Sequence, residues 1–197
     1  MHPRSSDACA KFIVSGEHAV LAGAPCLVYP LKSARLHLEL SSSPEFVAEL
    51  NGRRLGTELS EKIFDAALLA GLERTSLDHS HLKIQTSIPL ASGLGSSAAL
   101  CVALARLLPS KPQDTDIFAA ALKAEGLFHG RSSGADPAAV CAGHPILYRM
   151  SGRRADPFQA AANAPYAWVL RHSGTERATS AVISDLGAKD AAMPDLI

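Results

Sequence analysis

The run Pro89-Leu-Ala-Ser-Gly-Leu-Gly-Ser-Ser-Ala-Ala99 has the composition of an anion site. It follows an alternating, strand-like segment and opens an alanine-rich, helix-like one. Gly93 and Gly95 allow close backbone approach and positive φ. A helix start offers N–H groups without intrahelical partners and the positive end of the peptide dipoles. Ser96 and Ser97 add hydroxyls suited to phosphate oxygens or magnesium. The GxxxxGK[ST] pattern of P-loop proteins is absent. So are the third glycine and the later acidic residue of the dinucleotide fingerprint. A glycine turn capped by serine would use the same residues.

Other residues could act on a phosphate held there. Lys11 opens the apolar segment Lys-Phe-Ile-Val-Ser, and Glu17-His18 stands where that segment must turn. Glu125 lies in a helix-like stretch, and Asp136 follows eleven residues later, before Pro137. A cation beside a phosphate offsets its charge and lowers the pKa of a neighbouring hydroxyl or carboxylate. One carboxylate with a hydroxyl suits magnesium, which keeps water and substrate phosphates as its other ligands. A second carboxylate can accept a hydroxyl proton. Each has an ordinary role too: a lone lysine is commonly a solvated charge, His18 can be structural, and Asp136 can cap a short helix.

Taken together, these stretches resemble the GHMP kinases (galactokinase, homoserine kinase, mevalonate kinase, phosphomevalonate kinase). Pro89–Ala99 is similar to the family's central motif. The resemblance implies that Pro89, Ser92, Gly93, Leu94, Gly95, Ser96, Ser97 and Ala98 wrap nucleotide phosphates, with Ser97, or failing it Ser96, as a magnesium ligand. Ala10–Gly23 looks like the N-terminal signature of the mevalonate kinase branch. That implies Lys11 beside the transferred phosphate, with Glu17 and His18 lining the substrate pocket. Glu125-Gly-Leu-Phe-His-Gly-Arg-Ser-Ser-Gly-Ala-Asp136 resembles a further stretch of that branch and keeps its spacing between the two acids. By resemblance Glu125 holds magnesium, Asp136 is the base, and Ser133 and Gly134 border the substrate. In a weaker match over Leu170–Ser180, Thr179 reaches substrate, or else caps the helix that follows.

The resemblance implies an ATP- and magnesium-dependent kinase acting on the hydroxyl of mevalonate or a similar hydroxy acid. The alternatives are another GHMP kinase, acting on phosphomevalonate or homoserine, and a nucleotide-binding domain without catalysis. A phosphorylated acceptor would call for extra cations, with Arg131 and Lys32 as candidates. Three short stretches depart from the family. Cys9-Ala10 stands for Pro-Gly before the lysine, Ser132 for the proline of His-Gly-x-Pro-Ser-Gly, and Gly143-His144 for Gly-Gly. The family's third glycine-rich motif is not visible after Leu186. The expectation is a single N-terminal, ATP-binding domain over 1–197, with 165–197 starting a truncated C-terminal region. A homodimer or a separate C-terminal chain could complete the site.

Several elements must position these groups. Strands are expected at Lys11–Ser15, Arg35–Leu40, Glu45–Leu50, His81–Ser87, Pro145–Arg149 and Ala167–His172, and Ala19–Leu21 and Pro25–Pro30 are apolar segments split by a turn at Gly23-Ala-Pro25. Asn51-Gly52 predicts a hairpin to Arg54-Leu55. Helices are expected at Ser60–Leu72 (capped by Ser60), Ser96–Leu108, Asp116–Phe128 (capped by Asp114 or Thr115), Ala138–Ala142 and Thr179–Leu186. Strands followed by βα alternation predict an α+β (α/β two-layer) fold. The resemblance makes it a GHMP kinase N-terminal domain, ribosomal protein S5 domain 2-like, with a mixed sheet and helices on one face.

Composition bounds the partners. The 197 residues are 47% hydrophobic and 19% charged, a globular balance. Nineteen basic and nineteen acidic side chains give a formal net charge of zero, so no overall basic field favours nucleic acid or a membrane surface. An anionic ligand must be caught locally. Cys9, Cys26, Cys101 and Cys141 form no CxxC pair, and free thiols in a reducing compartment are expected. No apolar run reaches the ~18 residues of a membrane span, and no signal peptide is evident, which points to the cytoplasm.

Overall fold

The computed structural model describes residues 3–108, 113–130, 132–159 and 169–171. Seven strands form one mixed sheet: β1 Arg4–Ser15, β2 Cys26–Ser42, β3 Val47–Leu50, β4 Arg53–Arg54, β5 Ser80–Thr86, β6 Ile146–Arg149 and β7 Arg154–Pro157. The helices are α1 Thr57–Leu69, α2 Arg74–Leu77, α3 Ser96–Arg106, α4 Asp114–His129 and α5 Ala135–Ala142.

β2 is the spine. It runs antiparallel to β1 along one edge. Its other edge takes β5 along Leu36–Ser42 and β6 along Cys26–Val28. Among the described residues the single parallel pair is β3 with β5. Alternation explains the layering. Leu36, Leu38 and Leu40 of β2 and Leu82 and Ile84 of β5 are buried, while His37, Glu39, His81 and Lys83 between them are not. One face is therefore apolar and covered by helices, and the other is wet.

α3 is the central helix. Every residue from Ala98 to Ala105 is buried, and the helix touches β1, β2, α1, α4 and α5. A helix apolar all round belongs in a core, and its alanines let neighbouring elements approach closely. A second, smaller cluster joins Val20, Cys26, Val28, Ala139, Ile146 and Tyr148 beneath α5.

Several boundaries differ from the sequence reading. The apolar segment at Pro25–Pro30 and the strand expected at Arg35–Leu40 are parts of one 17-residue strand. α1 starts at Thr57 with Gly56 as its N-cap, and the Ser60 hydroxyl donates to the Leu55 carbonyl, so Ser60 is not the cap. α4 is capped by Gln113, which forms a capping box with Asp116, instead of by Asp114 or Thr115. α5 begins three residues before the expected Ala138. The short α2 and β7 carried too few residues for a periodic signal. Among the four cysteines, all free, Cys26 and Cys101 are buried and Cys9 and Cys141 half-buried.

Of the segment expected to open a C-terminal region, 165–197, and of the strand expected at Ala167–His172, only 169–171 are described, without regular structure. Thr179 and its helix lie outside the described residues. No helix among the described residues is long and apolar enough to cross a membrane.

Candidate functional site

The loop from Pro89 to Gly95 joins β5 to α3 and docks on β1 through backbone. The Lys11 N–H donates to the Leu94 carbonyl at 3.0 Å. Ala91, Gly93 and Gly95 alternate along the loop at φ +52°, +76° and +75°. The Ser92 hydroxyl closes the turn on the Pro89 carbonyl at 2.7 Å. Gly95 is the N-cap of α3, and no side chain caps that end. The first intrahelical bond runs from the Ala99 N–H to the Gly95 carbonyl. The N–H groups of Ser96, Ser97 and Ala98 thus precede the helical ladder, and no acidic residue opposes them in the first turn. This arrangement favours an anion.

Lys11 lies against the loop. The partners of β1 on β2 jump from Arg35 to Leu31 between Cys9 and Ala10, and there the two-residue alternation fails. Ala10 and Lys11 are both buried, Lys11 to 4% exposure. Such irregularities re-aim side chains. The lysine stem passes over Gly95, where a Cβ would stand 2.7 Å from Cε. Its ammonium donates to the Gly93 carbonyl at 3.1 Å and pairs with Asp136 Oδ2 at 2.7 Å.

Asp136 sits in the first turn of α5, whose N-cap is Gly134 at φ +88°. It can therefore favour the helix dipole without being the cap. A Cβ on Gly134 would come 2.6 Å from Tyr148 Oη, so glycine is required there. That Oη donates to the Ser133 carbonyl at 2.8 Å, and Ser133 Oγ accepts from the Ala135 N–H at 3.3 Å. A buried tyrosine from β6 thereby anchors the turn that presents Asp136.

Glu125 comes from α4 and is 1% exposed. Ser132 Oγ donates to its Oε2 at 2.5 Å. Burial, and then the nearby Asp136 charge, push the Glu125 carboxyl up to about 7, against smaller lowering effects of Ser132 and Lys11. One turn on, His129 Nε2 meets Ser97 Oγ at 2.7 Å. Burial, as the largest effect, holds His129 below the usual imidazole range, so it is neutral at pH 7. Cys26 lies nearby, its thiol raised to about 11 by burial first and then by Asp136.

Lys11, Gly93, Gly95, Ser97 and Asp136 are thus linked directly or through α3 and β1, with Glu125 close enough to feel Asp136 and Lys11. Glu17 and His18 lie on an exposed turn after β1, with no hydrogen bond to this cluster among the described residues. Lys32 is exposed on β2, and Arg131 lies outside the described residues. A cavity of about 560 Å³ opens elsewhere, between β3, β4, α1 and α2, and none of the expected site residues lines it. Ser132, His129 and Tyr148 were not foreseen as site residues. The spacing of Glu125 and His129, four apart on one helix face, was the available signal for His129.

The donor set suits a divalent cation. Among the described residues no three His, Cys, Asp or Glu side chains are grouped so that they alone could hold a metal ion. Magnesium needs only one or two carboxylates when water and phosphate supply the rest. Glu125 is a buried carboxylate whose sole hydrogen-bond partner among the described residues is a neutral hydroxyl, a state that a cation would relieve.

Residues 59–144 match the family profile described as the GHMP kinases N terminal domain. The chain carries a GHMP kinase N-terminal domain. Over 138 residues it is 33% identical to the mevalonate kinase of Archaeoglobus fulgidus, covering 67% of this chain and 48% of that protein. The chain therefore spans about half the length of this curated relative. The structure of L. major mevalonate kinase in complex with R-mevalonate superposes with a TM-score of 0.69 at 24% identity, over 96% of this chain and 62% of that one. Streptococcus pneumoniae phosphomevalonate kinase gives 0.57 at 18% identity, over 76% and 50%. At these identities the two structures establish the shared fold, and the fold alone does not separate the two acceptors. In this GHMP domain the mixed sheet, the loop and the helix start take the arrangement expected from the sequence.

Proposed function

We propose that this chain is the nucleotide-binding part of an ATP-dependent kinase that phosphorylates the hydroxyl of mevalonate. The observation that carries the reading is the Lys11–Asp136 pair, 2.7 Å apart and tied to the phosphate loop through the Gly93 carbonyl. A loop alone could hold an inert anion. A buried ammonium and a partly exposed carboxylate beside it supply what transfer needs.

In this reading the N–H groups of Ser96, Ser97 and Ala98 hold the phosphates, with Pro89, Ser92 and Leu94 shaping the loop. Lys11 neutralises charge that develops on the transferred group. Asp136 accepts the proton as the substrate oxygen bonds to the γ-phosphorus and the bond to the β-phosphate oxygen breaks, releasing ADP. Ser97 and Glu125 would hold magnesium, which supplies charge neutralisation to the phosphate oxygens when bound. Ser133, Gly134, Glu17 and His18 border the acceptor side, and Thr179 is proposed to join them. The identity to the A. fulgidus enzyme favours mevalonate over phosphomevalonate or homoserine. A second reading is a nucleotide-binding domain without catalysis of its own, in which the loop and the start of α3 hold a phosphate.

The test is ADP release with magnesium, ATP and each of the three acceptors. Turnover with mevalonate that is lost in Asp136→Asn is the expected result. Turnover undiminished in that variant would remove Asp136 from the reaction. Nucleotide binding with no turnover on any acceptor would favour the second reading.

A further inference from the structure

Ser132 lies between the end of α4 and the start of α5, and its hydroxyl bonds to both sides. The hydroxyl donates its one proton to Glu125 Oε2 at 2.5 Å and accepts the Gly134 N–H at 3.2 Å. Both interactions depend on the oxygen. Gly134 is the N-cap of α5, and its turn is fixed from below by Tyr148. One serine oxygen therefore ties the buried carboxylate of α4 to the rigid turn that presents Asp136. Among the described residues Glu125 Oε1 accepts no hydrogen bond.

We infer that Ser132 is a positioning residue for Glu125, holding Oε2 so that Oε1 remains for a divalent cation brought with the nucleotide phosphates. The inference rests on the reading of Glu125 as a cation ligand. A ligand carboxylate on a two-carbon stem must otherwise be ordered at the moment of binding, and partners that fix such ligands typically contribute about 10–100-fold in metal affinity. In this chain the serine hydroxyl supplies that orienting bond.

The experiment compares the 197-residue chain with Ser132→Thr and Ser132→Val, which share a shape and differ by the hydroxyl. Manganese replaces magnesium, and its binding in the presence of ATP is followed by electron paramagnetic resonance. Metal-free ATP binding and thermal unfolding are measured alongside. The expected result is manganese affinity within about threefold of wild type for Ser132→Thr and about 10-fold weaker or more for Ser132→Val, with metal-free ATP binding unchanged in both. Equal manganese affinity in Ser132→Thr and Ser132→Val overturns the inference and leaves the functional reading standing. Lower thermal stability of Ser132→Val with unchanged manganese affinity also overturns it, because that is a loop-packing role. Failure of the wild-type chain to bind manganese with ATP overturns the functional reading, and the inference falls with it.

Discussion

Glu125 makes a prediction that needs no substrate. Its carboxyl is raised from an ordinary 4.5 to about 7, chiefly by burial and then by Asp136. A group whose folded pKa is raised keeps its proton in the folded chain after the unfolded chain has released it. The folded state then binds more protons between those two values, and stability falls as pH rises through them. The contribution is fully present below about 4.5 and lost above about 7. Each tenfold change in proton affinity is worth about 1.4 kcal/mol, so the loss approaches ~3 kcal/mol in the cation-free chain. Glu125→Gln stays neutral throughout and keeps an oxygen for the Ser132 hydroxyl. Its stability advantage over wild type should grow by about 2–3 kcal/mol between pH 5 and pH 8. Urea unfolding of both chains at four pH values, in EDTA, reads this, because titrating groups that do not interact with Glu125 cancel in the difference. A difference that stays flat across that range would refute the claim that Glu125 is held at an energetic cost. So would one that narrows with rising pH.

Two further substitutions probe how the cluster is held. In Gly95→Ala, the new Cβ meets Lys11 Cε at 2.7 Å and Cγ at 2.8 Å, at a φ of +75°. Unfolding should show a loss of about 1–3 kcal/mol, and an ATP titration should weaken as the lysine is displaced; a variant as stable and as tight as wild type would mean the lysine stem is not confined by the loop. Tyr148→Phe removes the bond from Oη to the Ser133 carbonyl while keeping the ring in the second core cluster. A loss of about 1–2 kcal/mol in urea unfolding is expected, and no loss would mean that the turn before α5 stands without this anchor.

The groups legible in the sequence were those whose chemistry is carried by neighbours along the chain. Pro89–Ala99 reads as a phosphate loop because strand, glycines, serines and helix are consecutive, and Lys11, Glu125 and Asp136 stand out through local stretches of motif. The contacts that arm them were not legible, because each crosses between elements. Ser97 meets a histidine 32 residues away, and the Lys11–Asp136 pair spans β1 to α5. Simple alternation would have misled as well. Ser6, Ala8 and Ala10 face inward, which would turn Lys11 outward, and the slip against β2 overrides that. Ser132 was visible only as a missing proline, since nothing in a serine names the carboxylate it will meet.

The same geometry explains why the cluster is built from helix ends. α3 and α5 both begin here, each with a glycine N-cap and no capping side chain, and α4 ends here with His129. Two helix starts give the site partial positive charge of about half a unit each, fixed in direction by the fold. A histidine kept neutral by burial adds none at the end of α4. Against this stand the carboxylates of Glu125 and Asp136, with Lys11 as the cation paired inside the cluster. The end of α4 adds about half a unit of negative charge, so the fixed charges sum to slightly below zero while Glu125 is ionised and leave no surplus to offset a triphosphate. A ligand that brings its own divalent cation would both supply that surplus and displace the proton that burial favours on Glu125. Proton and cation then compete for one oxygen pair that Ser132 already holds on one side, and nucleotide affinity in the presence of magnesium should fall as pH drops below about 7.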